Sequence, residues 1–257
     1  MKKLLCLSLI AALGSVFFFS SCSYEPDSTT PPTATMKFKQ GFSGRYDIFI
    51  VDTAVNGNNP DHITDSVRHN IEEKIIDTNR TITDGKGVTK SHVAVGVTFV
   101  NPAGNPQDSD FFFQDTNGDL YRYNFGFSIL NQFPFLTQVI GSRVDVGWVL
   151  AAKMTSATGA TWEAKSDTVI IASNGIPVYL TSQGQMMADT TFLVGSEIVK
   201  ARHSRNTVTA MATGGLETGS VILDSYYSTD LNAVICDFFR HVTLSGTLLN
   251  QKAQGTY

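Results

Sequence analysis

The stretch "FFFQDTNGDLYRYN", residues 111–124, decides the fold, because it places two strand-like segments on either side of a turn. Asn117 and Gly118 are the preferred pair for a type I′ turn, in which both central residues need positive φ. This turn sets a register of three cross-strand pairs, Gln114 with Tyr121, Phe113 with Arg122 and Phe112 with Tyr123. Because cross-strand pairs of this kind stabilise a sheet, the stretch predicts a β-hairpin.

The same stretch also begins like a calcium-binding loop. Asp115, Asn117 and Asp119 have the alternate spacing of the first three ligands of such a loop. The sixth position should then be Gly and the twelfth a bidentate Glu, but these positions hold Leu120 and Gly126. The hairpin is therefore the better interpretation, and the sequence predicts no metal site here.

Apolar residues alternate with polar or small residues along much of the remaining chain. In "SHVAVGVTFV", residues 91–100, one face has Val93, Val95, Val97 and Phe99, and the other has Ala94, Gly96 and Thr98. Further strand-like segments are "RVDVGWVLAAKM" (143–154), "TVIIAS" (168–173), "IPVYLTS" (176–182), "EIVKARHS" (197–204) and "SVILDSYYSTDLNAVICDFFR" (220–240), the last being two strands around Thr229-Asp230. Short strands with frequent turns predict an all-β fold with a large curved antiparallel sheet, as a half-barrel or sandwich, and at most one or two short helices.

One segment, "DHITDSVRHNIEEKIIDTN" at residues 61–79, fits a helix and an exposed strand about equally well. Val67, Ile71 and Ile75 recur at helical spacing, but mostly polar residues separate them. A helix would place His69 and Glu73 on one face, where they could form one edge of a metal site. A solvated charged face is the preferred interpretation, because a structural metal site needs four ligands.

The segment "NFGFSILNQFPFLTQVI", residues 124–140, is unusually rich in phenylalanine. Pro134 prevents a regular helix or a central strand there. Since so apolar a segment must be covered by the sheet or by a ligand, it is a candidate ligand-binding region. The candidate ligand-binding residues are Phe125, Phe127, Leu130, Phe133, Phe135 and Trp148. Core packing is the alternative role of Trp148, and the same two roles are open to Trp162.

The N-terminus has the composition of an export signal. Two lysines precede an apolar run from Leu4 to Phe19, and small residues follow before Cys22. The sequence "FSSC", residues 19–22, resembles the bacterial lipobox, at which lipoprotein signal peptidase cleaves before a lipid-modified cysteine. This resemblance implies a signal peptide over residues 1–21 and an acyl anchor, such as palmitate, on Cys22. The alternative interpretation is an uncleaved membrane anchor, although the run is short for a membrane span.

The chain that would remain after cleavage divides into a tether and one domain. Residues 22–35 are rich in Ser, Thr and Pro, so we expect a disordered tether. Residues 36–257 show no repeat and no second linker, so we predict a single β-rich domain. Without its signal peptide the chain has a net charge of −6 and no basic block, which argues against nucleic acids as partners. Cys236 would be the last unmodified cysteine, so no intramolecular disulfide is predicted.

The sequence lacks the common catalytic and cofactor-binding motifs. The phosphate-binding pattern GxxxxGK[ST], a strand-borne GxGxxG and the nucleophile elbow GxSxG are all absent. The five histidines are scattered, and none belongs to an HExxH or another compact zinc spacing. We therefore predict that the protein is not an enzyme and uses no cofactor and no metal.

Three segments together resemble uncharacterised lipoproteins of Bacteroidetes and related phyla. They are "DTNGDLYRYN" (115–124), "DVGWVLAAKMTSATGATWEA" (145–164) and "DSYYSTDLNAVICDFF" (224–239). The set is similar to open half-barrel proteins of the lipoprotein-carrier type, in which a curved sheet encloses apolar ligands. The resemblance implies this fold, an outer-membrane location on the periplasmic or cell-surface side, and no catalytic residues. The Phe-rich segment would then fill the concave face.

The sequence supports two main candidate functions, and an envelope enzyme is a third and less favoured one. The first is a monomeric, membrane-tethered binding module that holds a lipid or another apolar molecule in its concave sheet, as ligand sites are mostly apolar and concave. The second is a structural or adhesive surface module with a filled interior and a protein or glycan partner. The acyl anchor and the two-faced apolar strands favour the first function.

Overall fold

Twelve β-strands form the regular structure of the described part of the chain. The computed structural model describes residues 35–51, 63–99, 106–127, 145–170, 177–212 and 216–244. The strands are β1 Ser43–Val51, β2 Ile63–Thr83, β3 Thr89–Phe99, β4 Pro106–Gln114, β5 Asp119–Tyr123, β6 Trp148–Lys153, β7 Thr161–Ile170, β8 Pro177–Met186, β9 Thr190–Val194, β10 Glu197–Ala212, β11 Leu216–Ser228 and β12 Ala233–Leu244. The predicted all-β fold class is confirmed, and within these ranges there is no helix.

The first sheet is a meander of β1 to β6, in which each strand pairs antiparallel with the next one along the chain. The sheet curls into a half-barrel, as the sequence predicts. The pairing of β2 with β3 shifts register three times between Ile75 and Ile82. Bulges of this kind bend a strand and increase its twist, so they contribute to the curl of the sheet.

The second sheet is antiparallel and has the strand order β12-β11-β10-β8-β7. The two strands predicted around Thr229-Asp230 are β11 and β12, and a turn at these residues joins them. β9 pairs only with the first residues of β10, from Glu197 to Ala201. Because β11 pairs with β10 from Arg202 onward, the β9–β10 hairpin extends beyond the end of the sheet.

The ambiguous segment 61–79 is strand from Ile63 onward, as part of β2. This strand pairs with β1 on one side and with β3 on the other. Tertiary pairing therefore outweighs the weak helical spacing of its apolar residues. The helical alternative is wrong, and so is the helical face on which His69 and Glu73 would have met. The described ranges contain no helix of the length and hydrophobicity required to cross a membrane.

The hairpin predicted around Asn117 and Gly118 exists as β4 and β5, but its predicted turn is wrong. Gly118 has a φ of 86°, whereas Asn117 does not have positive φ. The Asp115 side chain accepts hydrogen bonds of 2.9 Å from the backbone N–H groups of Asn117 and Asp119. Its backbone oxygen also accepts a bond from the Gly118 N–H. Asp115 thus stabilises a longer loop than the two-residue type I′ turn.

The longer loop changes the predicted register of the hairpin by one residue. The observed cross-strand pairs are Phe112 with Arg122, Phe113 with Tyr121 and Gln114 with Leu120. Side chains alternate between the faces of a strand, so a shift of one residue gives each of them a different set of neighbours. Arg122 consequently shares a face with Phe112 and is only 7% exposed.

The hydrophobic core lies between the last strands of the first sheet and the inner face of the second sheet. Leu120 and Ala151 come from β5 and β6, and Leu180, Leu223 and Tyr227 come from β8 and β11. Each of these residues is no more than 1% exposed. The two sheets therefore share one core, as in a sandwich with one strongly curled layer.

Polar side chains of the second sheet donate hydrogen bonds to backbone carbonyl groups at the edge of the first sheet. β6 pairs only with β5, so part of its backbone lacks a strand partner. The Ala151 carbonyl accepts hydrogen bonds from Ser204 Oγ at 3.0 Å and from Asn206 Nδ2 at 2.8 Å. The Leu150 carbonyl accepts one from Trp162 Nε1 at 2.9 Å. These bonds attach the edge of the half-barrel to the second sheet.

Candidate functional site

The first candidate site is a cleft of about 220 Å³ beside the first sheet, called here the cleft. Strands β2, β3 and β4 form one wall, and residues 35–42, called here the N-terminal segment, form the other. The apolar lining residues are Met36, Phe38, Ala94 and Phe112, and the polar ones are Lys37, Thr78, His92 and Gln114. The polar residues are as numerous as the apolar ones and form the larger part of the exposed lining, so the cleft presents both kinds of group to a small molecule.

The N-terminal segment is held against both sheets by specific contacts. The Met36 N–H donates to Gln114 Oε1 at 2.6 Å, and the Lys37 N–H donates to Asn232 Oδ1 at 2.7 Å. The Phe38 ring packs against the Phe112 ring with 5.0 Å between centroids. Met36 is 4% exposed and belongs to the shared core. The wall of the cleft is thus fixed by the fold.

A bulge directs one polar residue of the cleft. His92 has a φ of 60°, which is uncommon for a residue other than glycine. It lies where three residues of β3 after Lys90 oppose two residues of β2. Bulges of this kind re-aim side chains, and the imidazole of His92 lines the cleft.

A smaller pocket of about 20 Å³ lies on the other side of Phe38 and Phe112. Glu73 and Ile75 of β2 line it, and so do Ala233 and Val234 of β12. The start of β12 therefore lies near β2 of the first sheet, and the space between them is small.

A buried arginine forms the polar contact between the sheets close to this pocket. Arg122 Nη1 donates to both carboxylate oxygens of Asp237, at 2.9 and 3.1 Å. The guanidinium carbon lies 4.4 Å from the Phe125 ring centroid and 5.1 Å from that of Phe112. Burial opposes the positive charge, but Asp237 above all keeps the pKa of Arg122 raised. Ser225 Oγ also donates to Asp237 at 2.6 Å.

Glu73 is the carboxylic acid of this group whose titration is most perturbed. Burial, reinforced by Asp110, raises the pKa of Glu73 to about 8, although Arg122 acts in the opposite direction. The carboxyl lies against Gly96, where an added Cβ would be 2.5 Å from Glu73 Oε1. Desolvation disfavours the charged form of a carboxyl, which is why the pKa of Glu73 lies above that of an exposed glutamate.

A second polar group lies on the outer face of the second sheet. Asp224 is fully buried and accepts two hydrogen bonds from Arg205, at 2.7 and 3.0 Å. His203 Nε2 is also within hydrogen-bond distance of Asp224 Oδ1, at 2.9 Å. Burial would raise the pKa of Asp224, but the bonds from His203 and Arg205 outweigh it and lower the pKa to about 2. His203 also stacks on Tyr226 at 4.3 Å. The group is internally satisfied, and we assign it a structural role.

The structure describes three of the candidate ligand-binding residues. Phe125 and Phe127 lie in the shared core and are 5% and 0% exposed. Trp148 is 5% exposed but lies outside that core, with its ring 5.4 Å from Tyr123 in a T-shaped arrangement. Trp162 belongs to the core. The remaining candidates, Leu130, Phe133 and Phe135, lie outside the described residues, and so does Cys22.

Sequence reasoning missed Glu73, Arg122 and most residues that line the cleft. Arg122 could have been found from the hairpin register, because a loop closed by Asp115 places it opposite Phe112. Glu73 and Met36 carry no such local signal, since the residues that enclose them are distant in the sequence. Cys236 is half-buried and forms no disulfide, and no group of three potential metal ligands occurs among the residues described.

Comparisons with known proteins add nothing to these observations. No protein-family model matches the chain, and neither a curated protein nor a solved structure does so.

Proposed function

We propose that the protein is a membrane-tethered lipoprotein of the cell envelope that binds a lipid or another small amphipathic ligand in the cleft. The tether is the acylated Cys22, and the membrane is the outer membrane. No catalytic residue, cofactor or metal takes part in this function. The observation that supports it is the cleft itself, in which both the sheet and the N-terminal segment contribute apolar and polar residues.

The dimensions of the cleft limit what it can hold. A volume of about 220 Å³ is below the ~300–1,000 Å³ of sites that enclose a drug-sized molecule. A small ligand, or one end of an acyl chain, is the better fit. Phe38 and Phe112 would contact its apolar part, while Lys37 and His92 would face a polar or anionic group. A free fatty acid has both features and is the ligand class that we favour.

The experiment is a titration with a fluorescent fatty acid. It uses the chain from residue 22 onward with Cys22→Ser, so that the protein stays in solution without lipid. We expect saturable binding that Thr78→Trp weakens ~10-fold or more, equivalent to about 1.4 kcal/mol. Thr78 lines the cleft and is half-buried, so a tryptophan there occupies the space of the ligand.

The control variant is Thr81→Trp on the same strand. Thr81 is exposed and does not line the cleft, so this variant should bind the probe as the parent does. Absence of saturable binding, or equal affinities for both tryptophan variants, would contradict the proposal. Circular dichroism of each variant verifies that the strands are retained.

The second candidate function is a structural or adhesive surface module. It is supported by the small pocket between β2 and the start of β12, which has a volume of only about 20 Å³ beside Glu73. This function requires a protein or glycan partner rather than a small ligand. Crosslinking on intact cells, followed by identification of the attached molecule, would reveal such a partner.

A further inference from the structure

The turn region of the β9–β10 hairpin exposes aliphatic side chains to an unusual degree. Leu193 is 72% exposed, Val194 is 40% exposed and Ile198 is 77% exposed. Leu193 and Ile198 are directly opposite each other in the hairpin, so they form one apolar surface. These three residues are called here the hairpin tip. Single exposed apolar residues are common, but a cluster on a projecting element indicates a contact surface.

The base of the hairpin is fixed to the second sheet, so that the tip has a defined position. The Phe192 ring packs on Tyr226 in a T-shaped arrangement at 5.0 Å. Arg202 is 6% exposed, pairs with Asp189 at 3.4 Å and donates to the Ser156 carbonyl. Leu193 and Val194 follow Phe192 by one and two residues, so the tip extends ~3–7 Å beyond the last of these contacts, at ~3.3 Å per residue.

The hairpin tip lies at the same end of the second sheet as the N-terminal segment. Arg202 of β10 is opposite Tyr227 of β11, so the β11–β12 turn is adjacent to the base of the hairpin. Asn232 in that turn accepts the hydrogen bond from the Lys37 N–H. The chain that precedes Met36 therefore joins the domain at the end where the apolar tip projects.

We propose that the hairpin tip inserts into the lipid bilayer to which the chain is tethered. This inference depends on the proposed anchor at Cys22 but not on a ligand in the cleft. Residues 22–35 can span at most ~50 Å, so the anchor keeps the adjoining end of the domain near the bilayer. The tip then fixes the orientation of the domain, with the opposite end of the second sheet directed away.

The charges around the tip fit a bilayer better than a dry protein interface. Lys200 is exposed and shares a strand face with Ile198, two residues from it. A lysine at that depth can extend its ammonium group to the headgroups while its methylenes remain in apolar surroundings. Glu197 is opposite Val194 on the other face of the hairpin and is also exposed, so insertion by the face that carries Leu193 and Ile198 leaves Glu197 on the side turned to water. Burial in a protein interface would leave both charges without water.

The test is tryptophan fluorescence of the full, lipid-modified chain reconstituted into vesicles of phosphatidylethanolamine and phosphatidylglycerol. Ile198→Trp places a reporter at the tip, and Trp148 and Trp162 are both buried and give a constant background. We expect a blue shift of the emission, and strong quenching when part of the lipid carries bromine on its acyl chains. Adding Leu193→Lys to this variant should reduce the quenching, because a charged residue opposes insertion.

The control is Ile170→Trp in the same vesicles. Ile170 is 54% exposed and lies at the other end of the second sheet, opposite Pro177, whose neighbour Val178 pairs with Ala212. The length of β10 between Ile198 and Ala212 is ~46 Å, so a reporter at residue 170 should not be quenched.

Equal quenching of the two reporters, or none at residue 198 in membrane-bound protein, would overturn the inference. A blue shift at residue 198 without quenching by brominated lipid would also overturn it, since the tip would then be covered by protein. Failure of the parent chain to float with vesicles would refute both the anchor and the insertion. The fatty-acid titration is carried out without membranes, so a failure of ligand binding in the cleft can be distinguished from a failure of tip insertion.

Discussion

Arg122 and Glu73 lie in the same polar contact between the sheets, but the protein stabilises them in opposite states of charge. The two bonds from Arg122 to Asp237 keep a full ion pair in the interior. For Glu73 the effect of desolvation and of Asp110 exceeds the opposing effect of Arg122, so its pKa is raised and the neutral form is favoured. Neither role could be predicted from the sequence, because the strands that supply the partners are up to 164 residues from Glu73.

The protonated state of Glu73 makes stability depend on pH. Its pKa is raised from 4.5 to about 8, so between these values the folded chain retains a proton that the unfolded chain releases. Stability therefore falls as the pH rises through this window. Glu73→Gln removes the ionisable group, and we expect the variant to be more stable than the parent at pH 9 and similar to it near pH 4. Urea unfolding at both pH values measures the difference.

The matched control for that prediction is Glu163→Gln. Glu163 is exposed on β7, so this change should leave the pH dependence of unfolding as it is in the parent. If Glu73→Gln also left it unchanged, the assignment of a buried, protonated carboxyl to Glu73 would be wrong.

At the scale of single elements, the β4–β5 hairpin shows what local sequence can and cannot predict. Its existence follows from Gly118 and the flanking apolar residues, and this prediction is confirmed. The predicted type I′ turn is wrong because the Asp115 carboxylate accepts hydrogen bonds from the loop backbone and organises a longer loop. The Asn117-Gly118 pair alone does not indicate these bonds. Strands are easier to predict than register, since one additional hydrogen bond in a turn shifts the pairing by a residue.

The conformation of this turn leads to a prediction for Gly118. Its φ of 86° is unfavourable for other residues, and a Cβ there would lie 2.6 Å from Thr155 Cγ2. Gly118→Ala should therefore destabilise the protein by more than the ~1–2 kcal/mol of the left-handed conformation alone. Gly87→Ala is the control, because Gly87 has a φ of 80° and open space around its Cα.

The clash can be separated from the conformational cost by a second substitution. Thr155→Ser removes Cγ2 but retains the Oγ that donates to the Asn117 carbonyl at 3.0 Å. Added to Gly118→Ala, it should lower the loss of stability towards that of Gly87→Ala. Thermal unfolding is measured for the parent, for the three single variants Gly118→Ala, Gly87→Ala and Thr155→Ser, and for the double variant. Equal losses for the two glycine substitutions would contradict the close approach to Thr155.

At the scale of the whole molecule, the sequence predicts the fold class and the curled sheet, and it leaves the arrangement of the layers open. Period-two patterns define strands, but they do not say which strands form a second sheet. The sandwich and the half-barrel were alternatives in the sequence, and the structure combines them. A curled first sheet and a second sheet share one core, and the N-terminal segment packs against the first sheet beside it.

This arrangement changes where a ligand would bind. The Phe-rich segment was the candidate from the sequence, and its described members Phe125 and Phe127 are buried in the core. The available space lies instead beside Met36, a residue without any local signal of function. The central claim is therefore that a small amphipathic molecule enters the cleft between the N-terminal segment and the first sheet.

The most direct test of this claim is methyl NMR of the Cys22→Ser chain labelled at methionine and alanine methyl groups. Addition of a medium-chain fatty acid should shift the methyl signals of Met36 and Ala94, which line the cleft. The signals of Met154 and Met186, both fully buried elsewhere in the core, should stay in place. Unchanged Met36 and Ala94 signals at saturating ligand, or shifts confined to the core methionines, would contradict the claim.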